Sequence, residues 1–227
     1  MTGRIVCVGE VMLDVFAAPS PPDKRHGQAW VRAGGTPVTA ALAASTAGGS
    51  ATVVGRVGDD AAAAAIRSEL DRADVEVHFS VDERRPTGTY VEVLETIVAA
   101  RGANAFLSPA DIPEIDAAAV LVSGYTVAHD DTRAAADRAL ALDARWRAVT
   151  AVPLPGFEPP GRANILFANE DEAAELDTTA FEIVVVTRGG EGAYVLRDGR
   201  TTYLPPTGRS GTGAGDALAG AFLATLG

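Results

Sequence analysis

Thr212-Gly213-Ala214-Gly215-Asp216-Ala217-Leu218-Ala219-Gly220-Ala221-Phe222 carries more structural information than any other stretch of this 227-residue chain. Three small residues precede one carboxylate, and an apolar helical run begins at once. A turn of that composition leaves backbone N–H groups bare at the positive end of a helix, which suits an anion. Asp216 would repel an anion rather than bind it. Its natural task beside one is to take a proton from a hydroxyl. An anion hole with an adjacent base points to phosphoryl transfer to an alcohol. Taken alone, the same residues also fit a plainer reading: a glycine-rich cap on a core helix, with Asp216 as a favourable N-terminal charge.

Outward from this stretch, apolar strand-like runs alternate with helical patterns. Strands are expected at Arg4–Gly9, Ala51–Val54, Ala119–Val122, Ala148–Val152, Ala163–Phe167 and Glu182–Thr187. Helices are expected at Thr36–Ala47, Asp59–Ala73, Asp130–Arg145, Glu170–Leu176 and Gly213–Leu226, with Asp59-Asp60 and Asp130-Asp131 as starts by charge and capping. Such alternation implies a mostly parallel sheet covered on both faces, with ligands beyond the carboxyl ends of its strands. Asp14–Ala33 breaks the rhythm with three prolines and a short strand-like piece, Ala29–Arg32. Val75–Val81 and Thr87–Glu95 alternate apolar and polar residues, as strands with one wet face do. These segments predict a small β flap that keeps water from the chemistry; an antiparallel edge hairpin of the main sheet is the alternative. Arg197-Asp198-Gly199-Arg200 predicts a hairpin turn.

Composition excludes several classes. A net charge of −11 argues against nucleic acid or an anionic membrane as the main partner, and no apolar run approaches a membrane span. The single cysteine, Cys7, lies in an apolar strand and reads as a buried structural thiol, so a cytoplasmic protein is expected. Lys24 is the one lysine, and it sits among prolines. There is no G-x-x-x-x-G-K-[ST] loop, and no G-x-G-x-x-G follows the first strand. Any grip on phosphate must therefore come from backbone N–H groups, arginine or metal. His26 and His78 read as solvated, and His129 as a residue near the site, with no metal-cluster spacing.

In this order, several passages resemble the ribokinase-like, or PfkB, family of carbohydrate and nucleoside kinases. They are Val8-Gly9-Glu10-Val11-Met12-Leu13-Asp14, Ala33-Gly34-Gly35, Val54–Asp60, Thr87-Gly88-Thr89, Arg101-Gly102-Ala103-Asn104, Ser123-Gly124, Asn169-Glu170-Asp171-Glu172, Thr187–Gly192 and Gly213–Asp216. The resemblance covers nearly the whole chain. It implies a ribokinase-like three-layer αβα sandwich, with a mostly parallel central sheet and a β lid built from about 14–33 and 75–98. It implies ATP and Mg²⁺ as cofactors and a sugar or sugar-like substrate. Asp216 would be the base, with the N–H groups of Gly213, Ala214 and Gly215 as the anion hole. Asp14 would bind two sugar hydroxyls, and Gly34 and Gly35 would let the backbone approach the substrate. Thr39 and Arg101 complete the expected substrate set. Asn169 and Glu172 would organise Mg²⁺ and its waters, while Asn169, Thr187, Gly189 and Gly192 would line the nucleotide channel. A homodimer through the lid is also expected.

The chain departs from the family pattern at several points. Thr39 stands where an asparagine is usual. Ser210-Gly211-Thr212 replaces D-T-T, whose aspartate helps bind a monovalent cation, so potassium activation is not carried over. Thr150-Ala151-Val152-Pro153 stands where a D-P-N-like strand end is common. The family pattern continues in further C-terminal helices past Gly227, so either a truncated sequence or a compact member is expected. These departures keep open a second reading, a kinase-like ligand-binding or regulatory protein. Turnover of ATP separates the two.

Overall fold

In the first strand (β1, Arg4–Val8) alternate residues belong to different cores. Ile5 and Cys7 pack into one buried cluster, and Val6 and Val8 into another. A strand apolar on both faces must lie between two layers of helices. The computed structural model, which describes residues 3–19, 27–94, 96–206 and 211–226, has that arrangement. Pro21, Pro22, Lys24, His26, Glu95, Ser210 and Gly227, all weighed above, lie outside the described residues. After β1 come β2 (Met12–Pro19), β3 (Gly27–Gly34), α1 (Thr36–Thr46), β4 (Ser50–Gly58), α2 (Ala61–Arg72), β5 (Glu76–Asp82), β6 (Gly88–Val93) and β7 (Thr96–Ala100). Then follow β8 (Ala119–Val122), α3 (Gly124–Ala128), α4 (Asp130–Ala139), β9 (Trp146–Thr150), β10 (Ile165–Asn169), α5 (Glu170–Glu175), β11 (Ile183–Thr187), β12 (Ala193–Arg197), β13 (Arg200–Leu204) and α6 (Ala214–Ala224).

The main sheet has nine strands in the order β13-β12-β11-β10-β9-β8-β1-β4-β5. All pairs from β11 to β5 are parallel, and β12 and β13 add an antiparallel hairpin at one edge. Its turn, Asp198-Gly199, has both residues at positive φ, 52° and 70°, as a two-residue hairpin turn requires. Helices α1, α2 and α6 cover one face, and α3, α4 and α5 the other. The three-layer αβα sandwich is therefore the observed fold. The second sheet has four strands, in the order β3-β2-β6-β7.

Three expectations are corrected. Val75–Val81 does not join the small sheet: β5 pairs in parallel with β4 at the edge of the main sheet. An edge strand has one wet face, as a flap strand does, so alternation alone could not separate them. The fourth strand of the small sheet is instead Thr96–Ala100. The helix expected over Asp130–Arg145 ends at Ala139, and Leu140, Leu142 and Ala144 are buried in the turns that lead into β9. Finally, β4 runs on through Gly55, where a Cβ would lie 2.5 Å from the Val11 side chain.

One contact places the two helices that matter most. A Cβ on Gly220 of α6 would sit 1.8 Å from the Ala40 carbonyl oxygen of α1, so the two backbones touch. Replacing a helical glycine with alanine gains about 1 kcal/mol of helix propensity. Here the obstacle is backbone rather than a movable side chain, so overpacking wins. Gly220→Ala is expected to destabilise the protein by roughly 1–3 kcal/mol, read as about 2–4 °C of Tm per kcal/mol. Gly161→Ala, whose Cβ meets nothing within 4 Å, is the control. Equal melting temperatures for the two variants would overturn this account.

Candidate active site

Helices α1 and α6 lie on the same face of the sheet, and their N-termini open onto one cleft. From α1 come Thr36 and Thr39; from the start of α6 come Gly213 and Asp216. The small sheet supplies Met12, Asp14, Arg32, Tyr90, Ile97 and Ala99. Glu10, Arg101, Tyr125 and His129 line the remainder of this cleft of about 510 Å³. A second cavity of about 220 Å³ shares Gly213 and Asp216 with it, and is lined also by Thr150, Asn169, Glu172, Thr187, Ala214 and Gly215. A third, of about 60 Å³, shares Thr187, Ala214 and Gly215 with the second and is walled by Gly189, Gly192, Leu204, Pro205 and Pro206. The three spaces form a row, and the first turn of α6 runs along it.

The turn before α6 is built for open donors. Gly213 has φ 83°, a left-handed conformation that glycine adopts without steric cost. The Ala214 N–H donates to the Gly211 carbonyl at 3.1 Å, and the Ala217 N–H to that of Gly213 at 2.9 Å. The N–H groups of Gly213, Gly215 and Asp216 have no backbone partner among the described residues. The expected donor set thus shifts by one residue: Ala214 is engaged in the turn, and Asp216 offers an N–H of its own.

Three carboxyl groups share this desolvated space. Burial raises the Asp216 carboxyl to about 6; the Thr36 hydroxyl beside it offsets part of the rise, and the charges of Glu172, Asp14 and Glu10 add to it. Burial also raises Asp14 to about 6, with the Arg32 guanidinium pulling the other way. Glu10 is pushed up by burial as well, and accepts a hydrogen bond from the Thr126 hydroxyl at 3.1 Å. A base that titrates near 6 is ionised at neutral pH yet still has appreciable proton affinity. Cys7, in β1 on the face covered by α1 and α6, is raised to about 12, first by burial and then by the Asp216 charge, and is a structural thiol.

The structure brings Asp14, Gly35, Thr39, Arg101, Gly213 and Asp216 together around the first cleft. Gly34 does not line it. A Cβ there would collide with the Asp14 carboxylate at 2.1 Å, so this glycine makes room for Asp14 rather than for a ligand. Gly35, at φ 85°, lies against the Glu10 carbonyl, 2.0 Å from where a Cβ would be. Arg101 pairs with Asp131 at 3.0 Å and reaches Thr132 at 3.3 Å. Asn169 and Glu172 cap α5 reciprocally: the Glu172 N–H donates to Asn169 Oδ1 and the Asn169 N–H to Glu172 Oε2, both at 2.9 Å. Thr187, Gly189 and Gly192 line the third space. Among the described residues, no group of three or more His, Cys, Asp or Glu is arranged to hold a metal ion.

Sequence reasoning missed Arg32, Tyr90 and Thr36. Arg32 lies opposite Asp14 in the β2–β3 register, and Tyr90 opposite it on β6, so period-2 counting from Asp14 would have found both once the pairing was known. Thr36 needs the α1–α6 packing, which no local pattern reveals.

The model of the pfkB family of carbohydrate kinases matches residues 2–226. A curated relative, the 2-dehydro-3-deoxygalactonokinase of Haloferax volcanii, is 28% identical across the whole of this chain and 85% of its own length. Among solved structures, the fructokinase of Vibrio cholerae O395 with fructose, ADP and calcium superposes with a TM-score of 0.79 at 22% identity, over 96% of this chain and 82% of that one. A protein described as a ribokinase II from E. coli, with ATP and Mg²⁺, gives 0.81 at 17% identity, over 98% and 85%.

The raised carboxyls carry a sign. Asp14 and Asp216 hold their protons more tightly folded than unfolded, against an ordinary value of 3.8. The unfolded chain therefore binds fewer protons between about pH 4 and 6, and stability falls as pH rises through that window. Asp216→Asn removes its share of the penalty. Its Tm should exceed that of wild type at pH 8, and the gap should close toward pH 4. A variant that melts lower than wild type at pH 8 would refute the desolvation argument.

Proposed function

We propose, from the premise that the chain belongs to the pfkB family of carbohydrate kinases, that it moves the terminal phosphoryl group of ATP to a hydroxyl of a sugar or sugar-like substrate, with Asp216 as the general base. One observation carries the assignment: Asp216 lines both the large cleft and the cavity beside the α6 turn. A carboxylate at that junction can take a proton from a hydroxyl on one side while free N–H groups hold an anion on the other.

Each group has a task in this reading. Asp14, buried on the floor of the small sheet, accepts from substrate hydroxyls and fixes which hydroxyl faces Asp216. Thr39 and Arg101 add polar contacts on opposite walls. The N–H groups of Gly213, Gly215 and Asp216 offset charge as it develops on the transferring group. Thr187, Gly189 and Gly192, with Leu204 and the two prolines, would hold the nucleotide.

The residues fit ATP with Mg²⁺: N–H donors with no backbone partner among the described residues, suited to phosphate oxygens, and the carboxylate of Glu172 beside them. When bound, ATP supplies the phosphoryl group and Mg²⁺ neutralises part of its charge. Asn169 and Glu172 would meet Mg²⁺ through its waters, since their capping oxygens already serve α5. The small sheet acts as a lid that excludes water. Its Val31 and Val98 are 58% and 59% exposed, and this surface suits pairing with a second copy. No helix among the described residues is long and apolar enough to cross a membrane, and a cytoplasmic location fits the lone buried thiol.

Relatives are named for a ketose and for a keto-deoxy sugar acid. Arg101 and His129 in the cleft give an acid somewhere to bind. ADP release should therefore be measured with ATP·Mg²⁺ against neutral sugars, sugar acids and nucleosides, with Asp216→Asn in parallel. The variant should bind sugar and lose roughly 10²–10⁴-fold in kcat. Near-normal turnover by Asp216→Asn would rule out its role as base. A folded wild-type protein with no turnover on any substrate would favour a binding role.

A further inference from the structure

We infer that Arg32 and Glu92 are positioning residues that grip Thr212 from the small sheet and so set the direction of the Gly213 N–H in the phosphoryl-binding turn. The inference rests on the kinase reading above and names what organises that turn.

Thr212 is held at its carbonyl and its hydroxyl by residues distant in sequence. Arg32 Nη2 donates to the Thr212 carbonyl at 3.4 Å, and the Thr212 hydroxyl donates to Glu92 Oε2 at 3.2 Å. The two residues come from different strands, β3 and β6, which flank β2 on either side. Each is itself held. Arg32 Nε donates to Asp14 Oδ2 at 3.4 Å, and its guanidinium lies 4.7 Å from the Phe16 ring centroid. Phe16 in turn stacks on Trp30 at 5.5 Å. Glu92 Oε2 also accepts from the Tyr90 hydroxyl at 3.0 Å. One guanidinium therefore joins the carboxylate proposed to hold substrate to the loop proposed to hold phosphate.

The geometry of one peptide unit gives this contact its consequence. The Thr212 carbonyl and the Gly213 N–H belong to the same planar group, and in a trans peptide they point in opposite directions. A donor that fixes the carbonyl on one side fixes the N–H on the other. Gly213, at φ 83°, has no side chain to limit its rotation, so the turn depends on an outside contact for its orientation. Because that contact comes from the small sheet, the donor is aimed only while the sheet lies over the cleft. A substrate hydroxyl bound at Asp14 adds to the same assembly, so phosphate is offered a rigid site when an acceptor is present and a looser one when only water is. The contacts lie at an exposed seam outside both core clusters, so variants that lose them are expected to fold.

The test uses Arg32→Met, which keeps an unbranched side chain and loses the donors and the charge, Arg32→Lys, Glu92→Leu and Glu92→Gln, which keeps an acceptor for the Thr212 hydroxyl. With ATP·Mg²⁺ and the best sugar of the panel, Arg32→Met should lose about 10²-fold in kcat, the scale of a misplaced reacting group. Arg32→Lys should recover part of that, Glu92→Leu should lose less than Arg32→Met, and Glu92→Gln should stay near wild type. The Arg32→Met/Glu92→Leu pair should lose less than the product of the single losses, since both act through Thr212. The groups facing Asp14 are Arg32 from β3, Tyr90 and Glu92 from β6, Glu69 from α2 and Asp216 from α6. Removing Arg32 takes away the one positive member, so the acid limb of the kcat/KM profile should move to higher pH. Backbone ¹⁵N relaxation at Thr212 and Gly213 reads the link without turnover, and both should gain mobility in Arg32→Met. Unchanged relaxation, with kcat within twofold of wild type and an unmoved acid limb, would overturn the inference. So would a lowered Tm in which kcat and both KM values fail together, which marks a merely structural arginine. If wild type turns over no substrate while relaxation responds as expected, the grip on Thr212 stands and the kinase reading fails.

Discussion

The site depends on a place where two helix backbones touch. Gly220 lets α6 lie against the Ala40 carbonyl of α1, and any side chain there would push the helices apart. Because of this approach, the N-termini of α1 and α6 open on the same cleft, and Thr36 reaches Asp216 from a helix about 180 positions earlier in the chain. Gly213, at the head of α6, sits close enough to α1 that its Cβ would lie 3.3 Å from the Thr39 methyl group. Asp216, proposed as the base, the donors of the turn before α6 and one wall of the cleft are thus positioned by a contact between two helix backbones.

The cleft that results is electrostatically costly. Asp14, Asp216 and Glu10 lie close together with little water, and burial raises all three. Two helix N-termini and the guanidinium of Arg32 supply the compensating positive field. The outcome is a pair of carboxyls poised near 6, ionised when the protein works at neutral pH but not indifferent to protons. Strain of this kind is common where chemistry is done and rare elsewhere. In this fold the stability to carry it comes from the two apolar clusters on either face of the main sheet.

Much of this was legible in the residues. The alternation of strands and helices specified a parallel sheet with two covered faces, because each element must bury an apolar face against a neighbour. The Gly213–Asp216 turn pointed to the residue proposed as base, while Asn169 and Glu172, expected to organise Mg²⁺, also prove to cap α5 reciprocally. What local pattern could not do was assign partners. Val75–Val81 and Thr87–Glu95 have the same alternation, yet the first contains β5 at the edge of the main sheet and the second contains β6 (Gly88–Val93) of the small one. The apolar residues after Ala139 kept a helical rhythm while being buried as turns. Gly34 looked like an approach for substrate, and its vacancy is filled by Asp14.

By itself, then, the sequence determined the layer architecture and the family, and nominated the residues proposed to carry the chemistry, because periodicity and turn composition act over a few neighbouring positions. Tertiary structure alone decided which N–H groups in the turn are free, which glycines serve packing, and that Arg32, Tyr90 and Thr36 share a cleft with Asp14 and Asp216. Those outcomes are set by strand register and by how closely two helices approach. Both are settled between segments far apart in the chain, where no local pattern records them.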